Sequence, residues 1–187
     1  QRQMCIRDSI STIMRNAGSS LDQYWSQLHS ALDLMPEHNW YFSVYENDST
    51  DDTAEKLKKA DLKRFSGYSI ISETLNTTMY GSIKHEDRVN NLAAARNKSI
   101  YAANFINNVD WVLMIEPDVS YDPTHVYNIV NFNQYGLDDV DAFSGMNIIQ
   151  SSGMVYDTWA TRRTDQELDG TRFNDWQDAP VREFWST

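Results

Sequence analysis

Two periods of apolar residues organise this chain. Leu21, Tyr24, Trp25, Leu28, Leu32 and Met35 recur at helical spacing and predict an amphipathic helix over Leu21–Met35. Gly18-Ser19-Ser20 provides a turn and cap before it, and Pro36 stops it. Short apolar runs predict strands at Ile10–Asn16, Trp40–Tyr45, Tyr68–Ser72, Trp111–Asp118 and Ala142–Ile149. Another helix starts near Asp52, where Asp52 and Glu55 have capping-box spacing. Two more cover Arg88–Asn107 and His125–Tyr135, the latter entered through Asp122-Pro123 and ended by Gly136. Glu73–Asp87 is polar and irregular and reads as a loop. The order β-α-β-α-β-loop-α-β-α-β predicts an α/β fold, a mostly parallel sheet with flanking helices.

The stretch Asp110–Asp122, DWVLMIEPDVSYD, is the focus of this pattern. Trp111–Ile115 is unbroken apolar, as in a central strand buried on both faces. Pro117 cannot donate to a ladder and should end the strand. If the segment stays extended, Glu116 and Asp118 project together from the strand's carboxyl end. Ligands of open α/β sheets bind at that end. Paired carboxylates repel and call for a cation, and hard oxygen ligands suit Mg²⁺ or Mn²⁺. Taken alone, the same residues also read as an acidic, solvated turn.

Two other places carry chemistry. Glu46, Asn47 and Asp48 follow the second strand and precede the capped helix, a position where acids hold a base or ribose in dinucleotide folds. Arg96 lies on the helical stripe of Leu92, Ile100 and Ala103, so its charge must be paired. Two readings stay open there: a salt bridge to a core carboxylate, or a cation beside a ligand phosphate or nucleotide edge.

Composition narrows the classes. Gln1–Ser9 matches the translation of a transposon adaptor used in sequencing libraries and is set aside, together with the single cysteine, Cys5. The remainder then has no disulfide or thiol chemistry. The expectation is a chain cut upstream of Ile10, where a signal or anchor would be missing, and cut again at its carboxyl end. The net charge is −11, and it becomes −12 once Arg2, Arg7 and Asp8 are removed. That balance excludes a non-specific nucleic-acid binder, and no apolar stretch approaches a membrane span. There is no G-x-S-x-G, and His29, His38, His85 and His125 have neither triad context nor zinc-site spacing.

With these positions in view, the chain resembles the GT-A class of nucleotide-sugar glycosyltransferases. VYENDSTDDT is similar to their V-D-D-G-S-T-D-G-T motif, NLAAARNKSI to their N-x-G-x-x-x-A-R-N helix, and MIEPDV stands where they carry D-x-D. The closer resemblance is to the fungal capsule-associated α-mannosyltransferases, glycosyltransferase family 69. SVYENDSTDDT, LAAARN, EPDV and YDTWATRR occur in that family's order. Two departures stand out: Glu116-Pro117-Asp118 replaces the family's acidic strand end, and Arg163 replaces an Asp.

The resemblance implies a GT-A domain over residues 10–163 and a partial acceptor-side segment over 164–187. It implies metal-dependent transfer of a hexose, mannose in that family, from a GDP- or UDP-linked sugar to a glycan, lipid or protein hydroxyl. Glu46, Asp48 and Arg96 would bind the nucleotide, and Asp118 with Glu116 would hold Mn²⁺ or Mg²⁺. Trp159 and Arg162 would face sugar or acceptor, and Asp157 is one candidate base. The alternatives for this segment are a structural turn with a core Trp and an exposed Arg. Two further readings of the whole chain are a non-catalytic nucleotide- or glycan-binding domain and a sugar nucleotidyltransferase. The latter wants a Gly-rich basic loop, of which MRNAGSS is a poor version.

Overall fold

The structure, a computed structural model, describes residues 6–81, 85–131, 148–149 and 154–155. The chain divides into two compact units, Gln1–Tyr135 and Gly136–Thr187. The first unit runs β1 (Arg7–Met14), α1 (Leu21–Asp33), β2 (Asn39–Asn47), α2 (Thr53–Lys59), β3 (Gly67–Glu73), α3 (Glu86–Tyr101), β4 (Trp111–Met114) and α4 (Pro123–Val130). The four strands form one parallel sheet in the order β3-β2-β1-β4. The α/β fold with a parallel sheet and flanking helices is therefore as expected. The described part of the second unit is an antiparallel pair, β5 (Ile148–Ile149) and β6 (Met154–Val155). The Ala142–Ile149 strand is described only at those last two residues, and residues 132–135 of the fourth helix lie outside the described residues.

Alternation along β1 and β2 sorts the two faces of the sheet. Ile10, Met14, Phe42 and Val44 pack with Leu21, Leu28 and Leu32 of α1, Leu57 of α2 and Val126 of α4 in one apolar core. Burying each large aliphatic side chain there contributes about 1.5–3 kcal/mol. The opposite face offers Ser11 and Ser43, and α3 packs on it through Ala95 and Ser99. Right-handed crossovers require this division. The β1–β2 and β2–β3 connections step one way across the sheet, and the β3–β4 connection steps back.

A seam of hydroxyls joins α3 to the sheet. Ser99 Oγ lies 2.6 Å from Ser11 Oγ and donates to the Thr12 carbonyl at 2.9 Å. Ser43 Oγ donates to the Ser99 carbonyl. Small side chains let the helix approach closely, and these bonds satisfy the polar groups buried by doing so.

Three expectations change. β1 begins at Arg7 rather than Ile10, taking in Arg7, Asp8 and Ser9, which had been set aside. Ladder pairing is a backbone property, so these residues pair with Asn39, Trp40 and Tyr41, and buried Asp8 meets His38 Nδ1 at 2.6 Å. β4 is not central: among the described residues it is an edge strand, and Trp111 and Met114 are exposed. α3 ends at Tyr101 rather than Asn107, which turns Phe105 inward to pack on the Tyr41 ring at 5.0 Å.

The α3 seam predicts an order of effects. Ser99→Ala should destabilise by about 1 kcal/mol through lost hydrogen bonds. Ser99→Leu should cost more, because overpacking a close interface adds about 1–3 kcal/mol. Urea unfolding measures both, and a Ser99→Leu variant as stable as the parent would show that the interface is slack.

Candidate functional site

The strand order dictates where a ligand fits. From β1 the chain goes to β2 and β3 on one side, and β4 then takes the other side. The crevice beyond the carboxyl ends of β1 and β4 is thus a topological switch point. β1 delivers Arg15 and Asn16 to it, and β4 delivers Glu116, Pro117 and Asp118.

Here the extended geometry expected for Glu116-Pro117-Asp118 gives way to a turn. The Val119 amide donates to the Glu116 carbonyl at 3.3 Å, with Pro117 at the second position of the turn. Proline's fixed φ favours that position, so the same residue that ends the strand also bends the chain. The two acids still feel each other. Glu116 has its carboxyl raised above its ordinary value, first by burial, with the charge of Asp118 adding to it. Arg96 and the Ile13 backbone amide pull the other way. Asp118 is exposed, and its side chain has no hydrogen bond or ion pair among the described residues.

Arg96 is not on the buried stripe. Ala95 and Ser99 form the buried face of α3, and Arg96, one position round, has a side chain 47% exposed. It forms an ion pair with Glu116, Nη2 to Oε1 at 3.0 Å. The structure thus joins two of the candidate residues, Arg96 and Glu116, across the sheet end.

Glu46 and Asp48 follow β2 and are both engaged within the protein. Glu46 is buried; Oε1 accepts from the Ser49 amide at 3.0 Å, and Oε2 accepts from the Ser72 hydroxyl. Asp48 has φ +56°. Its carboxylate accepts from the amides of Leu75 (2.6 Å), Asn76 (2.8 Å) and Thr77 (3.0 Å), from Thr77 Oγ1 (2.5 Å) and from Asn47 Nδ2 (2.9 Å). Successive amides converging on one anion form a backbone nest, here closed by Asn76 at φ +54°. The Thr77 hydroxyl first, and then these amides, hold the Asp48 carboxyl well below the usual carboxylate range.

The two neighbouring loops are tied as closely. Asp52 is the N-cap residue of α2, as expected, but its side chain makes no cap bond. The preceding Asp51 serves the turn, with Oδ1 accepting from the Thr53 amide at 3.0 Å and Oδ2 from the Gly18 amide at 2.8 Å. Asn16, at φ +53°, accepts from the Thr50 amide at 2.7 Å. A Cβ on Gly18 would fall 1.9 Å from Asp52 Oδ1 and 2.9 Å from Asp51 Oδ2, so a larger residue there would displace both carboxylates.

Sequence reasoning missed several residues here. Arg15 donates to Thr77 Oγ1 at 3.1 Å and to the Thr77 carbonyl at 2.9 Å. Lys98 pairs with Glu73, which also accepts from the Tyr45 hydroxyl at 2.9 Å. One local signal was available: Asn16, Asp48 and Asn76 are the non-glycine residues at positive φ among the described residues, and Asn and Asp tolerate that conformation best. Asp157, Trp159 and Arg162 lie outside the described residues.

Among the described residues, no group of three or more His, Cys, Asp and Glu side chains is placed to hold a metal ion. Glu116 and Asp118 offer two carboxylates. That donor set fits a hard divalent cation taking its other ligands from water and phosphate oxygens.

A family model described as "Cryptococcal mannosyltransferase 1" matches residues 8–183. The chain belongs to this family. The resemblance read from the motifs is thereby borne out at the level of a glycosyltransferase family. No curated protein matches the chain. The crystal structure of S. aureus TarS 1-349 in complex with UDP is similar at 14% identity, with a TM-score of 0.48. That likeness covers 75% of this chain and 39% of the TarS chain.

Asp48 has a testable signature. Its folded-state carboxyl titrates below its ordinary value of about 4, so its stabilisation is fully present above that pH and is lost as pH falls toward the folded value. Asp48→Asn tolerates positive φ but lacks the charge. Urea unfolding should show the variant less stable at neutral pH, with the gap to the parent narrowing below about pH 4. A gap that stayed constant between about pH 5 and about pH 2 would show that these bonds do not depend on the carboxylate.

Proposed function

We propose that this chain forms the donor side of a metal-dependent glycosyltransferase that takes a hexose from a nucleoside diphosphate sugar, GDP- or UDP-linked. Mannose is the sugar that the family's description names. The acceptor is a hydroxyl of a glycan, lipid or protein. The observation that carries the reading is the placement of Glu116 and Asp118 at the switch point, in a chain of this family.

The roles follow from that placement. Asp118, exposed and unpaired among the described residues, and Glu116 would hold Mn²⁺ or Mg²⁺. The metal would supply charge neutralisation for the leaving diphosphate as the glycosidic bond breaks. Arg96 orients the Glu116 carboxylate and adds a positive charge at the same edge. Glu46 and Asp48 support the nucleotide side by holding the β2–α2 and β3–α3 loops around it. An inverting transfer also needs a base for the acceptor hydroxyl. Asp157 is the candidate from the motif, and Trp159 and Arg162 are the candidates for sugar or acceptor contact.

Calorimetric titration with GDP-mannose and UDP-glucose, with and without Mn²⁺, tests this. One of them should bind in a manganese-dependent way. Asp118→Ala should weaken that binding by more than about tenfold, without loss of fold by circular dichroism. A folded parent that binds neither donor, with or without metal, overturns the reading.

A further inference from the structure

Cations at the carboxyl end of the sheet are mostly accounted for. Arg96 is hydrogen-bonded to Glu116 and Lys98 to Glu73. Lys56 reaches Asp52 at 3.3 Å and the Gly18 carbonyl at 2.7 Å. Arg15 differs. Its guanidinium donates to two oxygens of Thr77, both neutral. Its nearest carboxylate oxygen, on Asp48, is 4.0 Å away, beyond hydrogen-bond reach. That carboxylate already accepts the five bonds from Asn47, Leu75, Asn76 and Thr77. Arg15 Nε is enclosed and has no hydrogen-bond partner. Only a quarter of the Arg15 side chain is exposed (25%). A guanidinium this enclosed, with spare donors and no bonded counter-charge, is prepared for an anion.

Position and chemistry select the anion. Arg15 directly follows the last residue of β1 at the carboxyl end of the sheet, and its guanidinium turns toward Asp48 and Thr77 in the loops after β2 and β3. Glu46, Asp48, Glu73, Glu116 and Asp118 lie at or just beyond the strand ends, so an anionic ligand needs a cation whose donors are not already taken by a carboxylate. Arg15 forms an ion pair with Asp48 at 4.0 Å but no hydrogen bond to it. The planar guanidinium fork matches phosphate oxygens. We propose that Arg15 binds the diphosphate of the donor, and that Asp48 is the residue that positions it by clamping the Leu75–Thr77 turn whose Thr77 oxygens hold the guanidinium. This rests on the donor-site reading above. It gives Asp48 a supporting role in place of a contact with the nucleoside, because both of its oxygens are spent on the turn.

The test is a mutant cycle read by calorimetry with GDP and UDP in the presence of Mn²⁺. Inorganic pyrophosphate serves as a competitor for the bound nucleotide. Arg15→Ala should weaken the nucleoside diphosphate by roughly ten- to a hundredfold, as expected for a charged hydrogen bond. It should raise the dissociation constant of pyrophosphate, obtained from the competition after allowing for the weaker nucleotide, by a similar factor. Arg15→Lys, which keeps the charge but not the fork, should recover part of the loss. Asp48→Asn should speed hydrogen exchange at the Leu75, Asn76 and Thr77 amides without ligand. It should also weaken the diphosphate, and the double variant should bind no worse than Arg15→Ala alone.

Parent-like diphosphate binding by Arg15→Ala overturns the proposal and leaves the donor-site reading standing. So does a loss of nucleotide affinity with an unchanged dissociation constant for pyrophosphate, which would place Arg15 on the nucleoside. Losses that add in the double variant, or unchanged exchange at the three amides, overturn the positioning role of Asp48. A parent that binds neither nucleotide overturns both the proposal and the reading it rests on.

Discussion

β1 is paired on both edges and covered on both faces, and the rest of the first unit is arranged to meet that requirement. Its backbone is taken up by β2 on one side and β4 on the other. One of its faces needs the apolar surface of α1, and the other needs the small-residue face of α3. A parallel neighbour can be reached only by a crossover, and the handedness of crossovers assigns each helix to a face. The gap beyond the β1 carboxyl end follows from the same requirement. There the chain's two directions of travel diverge: Arg15 follows β1, and Glu116 and Asp118 follow β4.

Acidic residues dominate this edge, but they are not equivalent. Glu46 and Asp48 are consumed by amides and hydroxyls of their own loops. Glu116 is held by Arg96 in a partly buried pair, where burial works against its ionised form. Asp118 stands exposed. The protein thus separates carboxylates that shape the crevice from one that has no side-chain partner among the described residues. Neutral donors do the shaping at Glu46 and Asp48, and Arg15 is left hydrogen-bonded to the neutral oxygens of Thr77 while Arg96 and Lys98 are paired with acids.

Much of this was readable from residue order, and the failures have physical causes. Apolar periodicity located the four parallel strands and their helices to within a few residues, because burial imposes that periodicity directly. Rank within the sheet was not readable. Trp111–Ile115 is as apolar as a central strand, yet β4 lies at the edge of the described sheet, and nothing local distinguishes the two. The pairing of Glu116 with Asp118 was inferred from an extended backbone, whereas Pro117 favours a turn as strongly as it disfavours a strand. The phase of α3 was misjudged by one residue, since Ala95 and Ser99 are less conspicuous than Leu92 and Ile100 but fit the close contact. The Arg15–Thr77–Asp48 arrangement joins positions up to 62 residues apart and has no local pattern to reveal it.

The hydroxyl seam under α3 also works as an indexing pin. Apolar helix–sheet contacts tolerate small axial slips, because dispersion has little direction. Hydrogen bonds do not: Ser99 must meet Ser11, Thr12 and Ser43 together. Sliding the helix by a single residue, about 1.5 Å, would break all three. Arg96 and Lys98 sit within one turn of that pin and inherit its setting. The spacing between the helix's two cations and the acids at the ends of β3 and β4 is therefore gauged from inside the protein, by three buried serines.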